Sequence, residues 1–212
     1  MAISDIQPVF DKQFVYAQDA VLLEEKDNKS TLPKILLSAL PTKSIVVDID
    51  TARNITCKCK QKSTRVMSIL RTSIANYHSL ADYVLLHEVR DGTYHCYIIE
   101  LKSGSISGSE AQFIGAACAI RYTLDIVTSL ANINAAITKY FYVIITKSKI
   151  NTLEKRPIGW SRKPTQSTPD DPIFIYTDPN HLVKDHYNVH FGALKINQRQ
   201  KSDKPAAVSL AP

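Results

Sequence analysis

The chain has 212 residues, of which 44% are hydrophobic and 22% charged, and only six are glycine, which excludes a disordered chain or a fibrous repeat and allows one substantial core. A formal charge of +6 permits a polyanionic partner without requiring one. The apolar runs at residues 114–120 and 141–145 fall short of the ~18 residues of a membrane span, and the first seven residues lack the basic-then-apolar pattern of a secretory signal, so the expectation is a cytoplasmic protein with no membrane partner.

Apolar positions at Val9, Phe10, Phe14, Val15, Ala20, Val21 and Leu22 fit a helical period and predict an opening helix over residues 8–25. Residues 32–40 read as a second, short helix, with Pro33 suited to its first turn. Residues 44–50 and 54–59 are rich in β-branched side chains and read as strands joined by a turn at 50–53. Residues 64–77, with Val66, Met67, Ile69, Leu70 and Ile74, fit helix and strand alike.

A hairpin follows, with arms at 82–89 and 94–102 around Arg90-Asp91-Gly92. Val84, Leu85 and Leu86 on one arm and Tyr97, Ile98 and Ile99 on the other leave no polar side, as expected of central strands covered on both faces by helices. Ser103 to Gly108 form a loop, and Ser109 is a suitable N-cap for a helix through Phe113, Ala117, Ile120 and Leu124 toward Leu130. Residues 139–146 read as a buried strand, so the strand, helix, strand order predicts a parallel, right-handed crossover. A Pro- and Ser-bearing segment leads to Pro172, then come a short strand at 173–177 and an apolar patch at 189–194. The fold class is α/β, a mixed central β-sheet flanked by helices, in one domain over residues 1–196 with its core at about 80–146 and a disordered tail at 197–212.

Several residue types carry only modest signals. Cys57 and Cys59 form a C-x-C with no second pair to complete a tetrahedral zinc site, and the four cysteines, with Cys96 and Cys118, read as small buried hydrophobes. His78, His87, His95, His181, His186 and His190 include no pair at helical zinc-site spacing, and His181 and His186 read as surface residues of a loop. No Gly-rich phosphate loop occurs. Lys147, Lys149, Lys155, Arg156, Arg162 and Lys163, with Trp160 among them, suit a phosphate-tracking surface with a stacking platform and equally a solvated loop.

The chemistry concentrates in the hairpin. Glu100 and Lys102 stand two apart at the end of an apolar strand and therefore share a face. Charges at the end of a buried strand need a partner or a metal to offset desolvation; the plain alternative is a surface salt bridge. Gly92 suits the left-handed third position of a three-residue loop, which would pair Val89 with Thr93 and set Asp82 opposite Glu100. A two-residue Asp91-Gly92 turn would pair Asp82 with Leu101 and send it to the other face. In the first register two carboxylates repel each other unless a divalent cation joins them, Mg²⁺ being favoured by hard oxygen donors and Mn²⁺ able to replace it. Lys102 beside such a site would orient or help deprotonate a water for phosphodiester hydrolysis.

Asp82, seventeen intervening residues, then Glu100-Leu101-Lys102, followed by a helix and a buried strand, resembles the PD-(D/E)XK nuclease superfamily over roughly residues 80–146. The resemblance implies a restriction-endonuclease-like core, Mg²⁺ held by Asp82 and Glu100 with the Leu101 carbonyl, and catalytic roles for Asp82, Glu100 and Lys102. Exonuclease-like members add a Gln on the following helix, where Gln112 stands; Ala116 occupies the place of their aromatic residue and Ala81 that of the family's Pro. Some members take a further ligand from the first helix, for which Glu24 and Glu25 both qualify.

The resulting expectation is a metal-dependent nuclease acting on DNA in preference to RNA, as effector of a restriction or anti-phage defence system. With no ATPase or reading domain of its own, it would work as a homodimer or with an ATPase or sensor protein. The alternative is a catalytically inactive nuclease-fold protein that binds nucleic acid or a protein partner.

Overall fold

The computed structural model describes residues 6–25, 30–32, 34–53, 79–147, 172–177, 186–192 and 194. In chain order its elements are β1 (Val15–Tyr16), β2 (Val21–Leu23), β3 (Lys34–Ser38), β4 (Ser44–Asp48), α1 (Ile49–Arg53), β5 (Tyr83–Arg90), β6 (Thr93–Lys102), α2 (Ser109–Ala131), β7 (Ala136–Thr146), β8 (Ile173–Tyr176) and β9 (His186–His190). They build two mixed sheets, one of six strands in the order β1-β4-β5-β6-β7-β8 and one of three in the order β2-β3-β9. The class is α/β, as expected. β7 runs parallel to β6 after α2, and β8 parallel to β7, so the strand, helix, strand reading holds.

The six-stranded sheet has a different cover on each face, and strand alternation decides which side chain meets which. Val84, Leu86, Cys96, Ile98 and Ile144 pack with Phe113, Ala116, Ile120, Leu124 and Val127 of α2. Leu85, Tyr97, Ile99, Val143 and Ile145 pack instead with Val21, Leu23, Ile35, Leu37, Tyr187 and Val189 of the small sheet. The expectation of helices on both faces is thus corrected: the second face is covered by a sheet. Runs of β-branched and aromatic residues without a polar side report only that both faces are buried.

Three further expectations fail for related reasons. Residues 8–25 form no helix; they hold 3₁₀ turns at Gln7–Val9 and Lys12–Phe14 and the strands β1 and β2. Asp11 caps the second turn by accepting from the Gln13 amide at 3.1 Å, and Val21 and Leu23 are buried on either side of exposed Leu22, a period of two. The short helix at 32–40 is instead the strand β3, whose Ile35 and Leu37 are buried and whose backbone pairs with β2 on one edge and β9 on the other. A short apolar run fits both periods, and the neighbouring strands chose. Ser109 is not the N-cap of α2: Gly108 holds that place at φ 84, and the buried Ser109 hydroxyl has no hydrogen-bond partner.

α2 also corrects the statement about apolar length. Its 23 residues are long and apolar enough, by length and composition, to cross a membrane, and only the stripe facing the sheet is buried. Cys96 is buried as expected, but Cys118 is exposed on the outer side of α2. His186 belongs to strand β9, not to a loop. The readings at 54–59, at 64–77, at Lys149, Lys155, Arg156, Trp160, Arg162 and Lys163, at His78 and His181, and over the tail 197–212 lie outside the described residues.

Candidate active site

The β5–β6 hairpin sets the geometry through an irregularity that the sequence reading placed one residue away. Arg90 pairs with Thr93 across a two-residue Asp91-Gly92 turn, so the three-residue loop with Val89 opposite Thr93 is corrected. The ladder then shifts between Glu88 and Arg90, leaving Val89 as the extra residue of a bulge. One bulge residue compensates for the shorter turn. Glu88 pairs with Tyr94 and Tyr83 with Ile99, so extending the ladder by one residue sets Asp82 opposite Glu100 as expected. Gly92 is required twice over: its φ is +67, and a Cβ there would lie 2.5 Å from the Asn134 carbonyl oxygen. The buried Glu88 carboxylate underpins the turn, accepting from the Gly92 amide at 3.3 Å and pairing with Lys43 at 3.7 Å.

At the other end of the hairpin the ladder stops at Tyr83, and Asp82 does the work of a strand residue with its side chain. Its Oδ2 accepts from the Leu101 amide at 2.7 Å, and its carbonyl accepts from the Ile49 and Asp50 amides at the start of α1. Because a strand residue directs its N–H and C=O to the same side, the Leu101 carbonyl faces the side on which Asp82 lies. Glu100, 1% exposed, and Lys102 project from the face of β6 that carries Cys96 and Ile98, toward α2. Lys102 Nζ lies 2.6 Å from Glu100 Oε1 and donates to Gln112 Oε1 at 2.9 Å. Gln112 in turn donates to the Leu80 carbonyl at 3.3 Å, and its own carbonyl accepts from the Ala81 amide at 3.2 Å. The first turn of α2 is therefore tied both to the lysine and to the segment that delivers Asp82.

Glu100 Oε2 is buried and has no hydrogen-bond partner. Burial raises the Glu100 carboxyl above the ordinary carboxylate range, the neighbouring Asp82 raises it further, and Lys102, with a smaller contribution from the Gln112 side chain, only partly offsets them. Asp82 is likewise raised, first by burial and then by Asp50 and Glu25, against the lowering effects of the Leu101 amide and Lys102. The structure thus brings together Asp82, Glu100, Leu101, Lys102 and Gln112.

Of the two further acids, Glu25 belongs to this neighbourhood and Glu24 does not. Glu24 pairs with Lys34 at 2.6 Å, while its backbone exchanges hydrogen bonds with the Tyr83 hydroxyl. Glu25 accepts from Ser103, the residue after Lys102, at 3.4 Å and from Ser30. Neither acid stands on a helix, which corrects the source expected for them. Asp50 was missed: read as a turn residue, it is carried to Asp82 by α1, which begins where Asp48 accepts from the Thr51 amide at 3.0 Å. Asp48, a residue type favoured at the N-cap, is the signal that would have marked that helix. Of the basic cluster, Lys147 is described, and it donates to Thr31.

The donors suit a hard divalent cation: the buried Glu100 carboxyl with its orphaned oxygen, the half-buried Asp82 carboxyl, and a backbone carbonyl on the same side. Among the described residues no group of three or more His, Cys, Asp or Glu is placed to hold a metal. Comparison with family models, with curated proteins and with solved structures gives no match.

Proposed function

We propose that this chain is a divalent-cation-dependent nuclease with a restriction-endonuclease-like core, hydrolysing phosphodiester bonds of DNA. The observation that carries this reading is the pairing of Asp82, clamped by the Leu101 amide, with a buried Glu100 whose Oε2 lacks a donor and whose Oε1 is held by Lys102. A Glu100 carboxyl raised by burial and by Asp82, and an Asp82 carboxyl raised by burial, Asp50 and Glu25, are poorly ionised alone and would become a strong oxygen site once a cation is present. Asp82, Glu100 and the Leu101 carbonyl would hold Mg²⁺ or Mn²⁺. The bound ion would supply Lewis-acid polarisation of a phosphate.

The protein's own groups have separable tasks. Asp82 and Glu100 fix the ligand oxygens on two neighbouring strands, and rigid elements make such a site precise. Lys102 is oriented by Gln112 and would place and help deprotonate the attacking water. Gln112 is a positioning residue.

Incubation of the purified protein with circular DNA, linear DNA and RNA, with Mg²⁺, Mn²⁺ or chelator, tests the reading. Cation-dependent cleavage should fall by roughly 10²-fold or more in Asp82→Asn, Glu100→Gln and Lys102→Ala variants that still fold. Absence of such cleavage, or variants that cut as well as the parent, would overturn it. One observation favours the second reading, a nuclease-fold protein that binds without cutting: Lys102 is already engaged by both Glu100 and Gln112. That reading predicts nucleic-acid binding, with no cleavage, that survives Lys102→Ala.

A further inference from the structure

The start of α2 is left open in a way that neither its packing nor the acidic pair uses. No side chain caps it: Gly108 stands at the N-cap, and a Cβ there would meet nothing within 4 Å. The Ser109 amide is taken by the Ile106 carbonyl and the Gln112 amide by that of Gly108, which leaves the Glu110 and Ala111 amides with no acceptor among the described residues. One more donor is unmatched: the Ser109 hydroxyl lacks a partner although the residue is only 3% exposed. The Cα–Cβ bonds of a helix tilt toward its N-terminus, so the side chain of its first residue is aimed into the space before the helix. A buried donor of this kind is costly to leave unmade and calls for an acceptor.

We propose that the start of α2 is an oxyanion site which, on the nuclease reading above, seats a phosphodiester group of the bound strand. A helix of 23 residues carries partial positive charge at its N-terminus, where free first-turn amides hold an oxyanion. A full positive charge stands beside it: Lys102 Nζ, shared with Glu100, donates at 2.9 Å to Gln112, three residues from Ser109 on the same side of the helix. The place in the fold agrees. β6, β7 and β8 run parallel and end in register at Lys102, Thr146 and Tyr176. α2 begins just after β6, at the carboxyl edge of the strands, where an open α/β sheet takes its ligands. The acidic pair and the start of α2 thus offer separate donors for a cation and for the phosphate it would polarise. Glu110, the one acid of the first turn, is exposed, so solvent screens its repulsion of an anion.

Inorganic phosphate titrated into the full metal-free chain, at constant ionic strength, tests the site without DNA or cleavage. The backbone amide resonances of Glu110 and Ala111 should shift saturably, with a Kd of roughly 1–10 mM for so few donors. Ser109→Ala should weaken that binding about ten-fold, since a hydrogen bond to a charged group is lost. Its melting temperature should hold or rise, because the unmatched hydroxyl is gone. With DNA and Mg²⁺ the same variant should raise KM about ten-fold at nearly unchanged kcat, as loss of uniform binding does. Amides unmoved up to roughly 50 mM phosphate overturn the site, as does a Ser109→Ala chain that melts lower yet binds phosphate like the parent. Phosphate binding without cleavage would uphold the site and overturn the nuclease reading; cleavage without phosphate binding would do the reverse. Displacement of the phosphate by a terminally phosphorylated oligonucleotide, but not by an unphosphorylated one, would assign a strand end and overturn the phosphodiester.

Discussion

Glu100 is the residue on which the chemistry turns, because one of its oxygens is held by Lys102 and the other is buried with no donor. Its carboxyl and that of Asp82 are both raised above their ordinary values, so the folded chain retains protons that the unfolded chain releases. Metal-free stability should therefore fall as pH rises from the ordinary carboxylate range of about 4, where the unfolded groups ionise, through the raised folded values. Glu100→Gln, which removes the group that must ionise, should flatten that decline in thermal melts across pH; an unchanged pH dependence would show that Glu100 is not titrating. Divalent cations bind the ionised pair, so their apparent affinity should increase with pH and binding should release protons, measurable by calorimetry in two buffers. At Gln112, loss of the contacts to Lys102 and Leu80 in Gln112→Ala should cost roughly 10- to 100-fold in cation-dependent cleavage, with Gln112→Glu recovering part of it. The motif residues were legible because strand alternation alone puts Glu100 and Lys102 on one face. The orphaned oxygen, the choice of Glu25 over Glu24, and Asp50 were not, since each depends on contacts between segments far apart in the chain.

The hairpin and α2 are joined at close quarters. A Cβ at Gly115 would lie 1.9 Å from the Ser79 carbonyl oxygen, so the helix approaches the chain that leads to Asp82 as closely as backbone allows. Gly115→Ala should force that segment away and cost roughly 1–3 kcal/mol by urea denaturation, with a larger loss of cation affinity than of stability, because Ala81 and Leu80 are tied to Gln112. A variant with parent stability and affinity would show that the approach is not needed. The hairpin itself was predictable in place and in net register. Its means was not: a two-residue turn with a bulge at Val89 and a three-residue loop both set Asp82 opposite Glu100, and only the paired backbone distinguishes them.

Across the whole fold, the central sheet lies between α2 and a small sheet assembled from neighbouring β2 and β3 and the sequence-distant β9. Phe191, just after β9, is buried edge-on to Tyr97 of β6 at 5.4 Å between ring centroids, so the late part of the chain closes the core laid down by the hairpin. Phe191→Ala should cost roughly 3–5 kcal/mol and leave a single cooperative transition in chemical denaturation; two transitions would mean that the small sheet is an independent unit. The strands at β4 to β8 and the long helix could be read from composition and periodicity because their apolar runs are long and locally consistent. The strands β2 and β3 could not, since short apolar runs satisfy a helical and a strand period equally, and the hydrogen bonds that settle it come from pairing with each other and, for β3, with β9 some 150 residues further on. Local pattern thus established that the molecule is α/β with an acidic pair and a lysine at the end of a buried strand. Long-range backbone pairing alone decided what covers the sheet's second face and which further acids stand beside that pair.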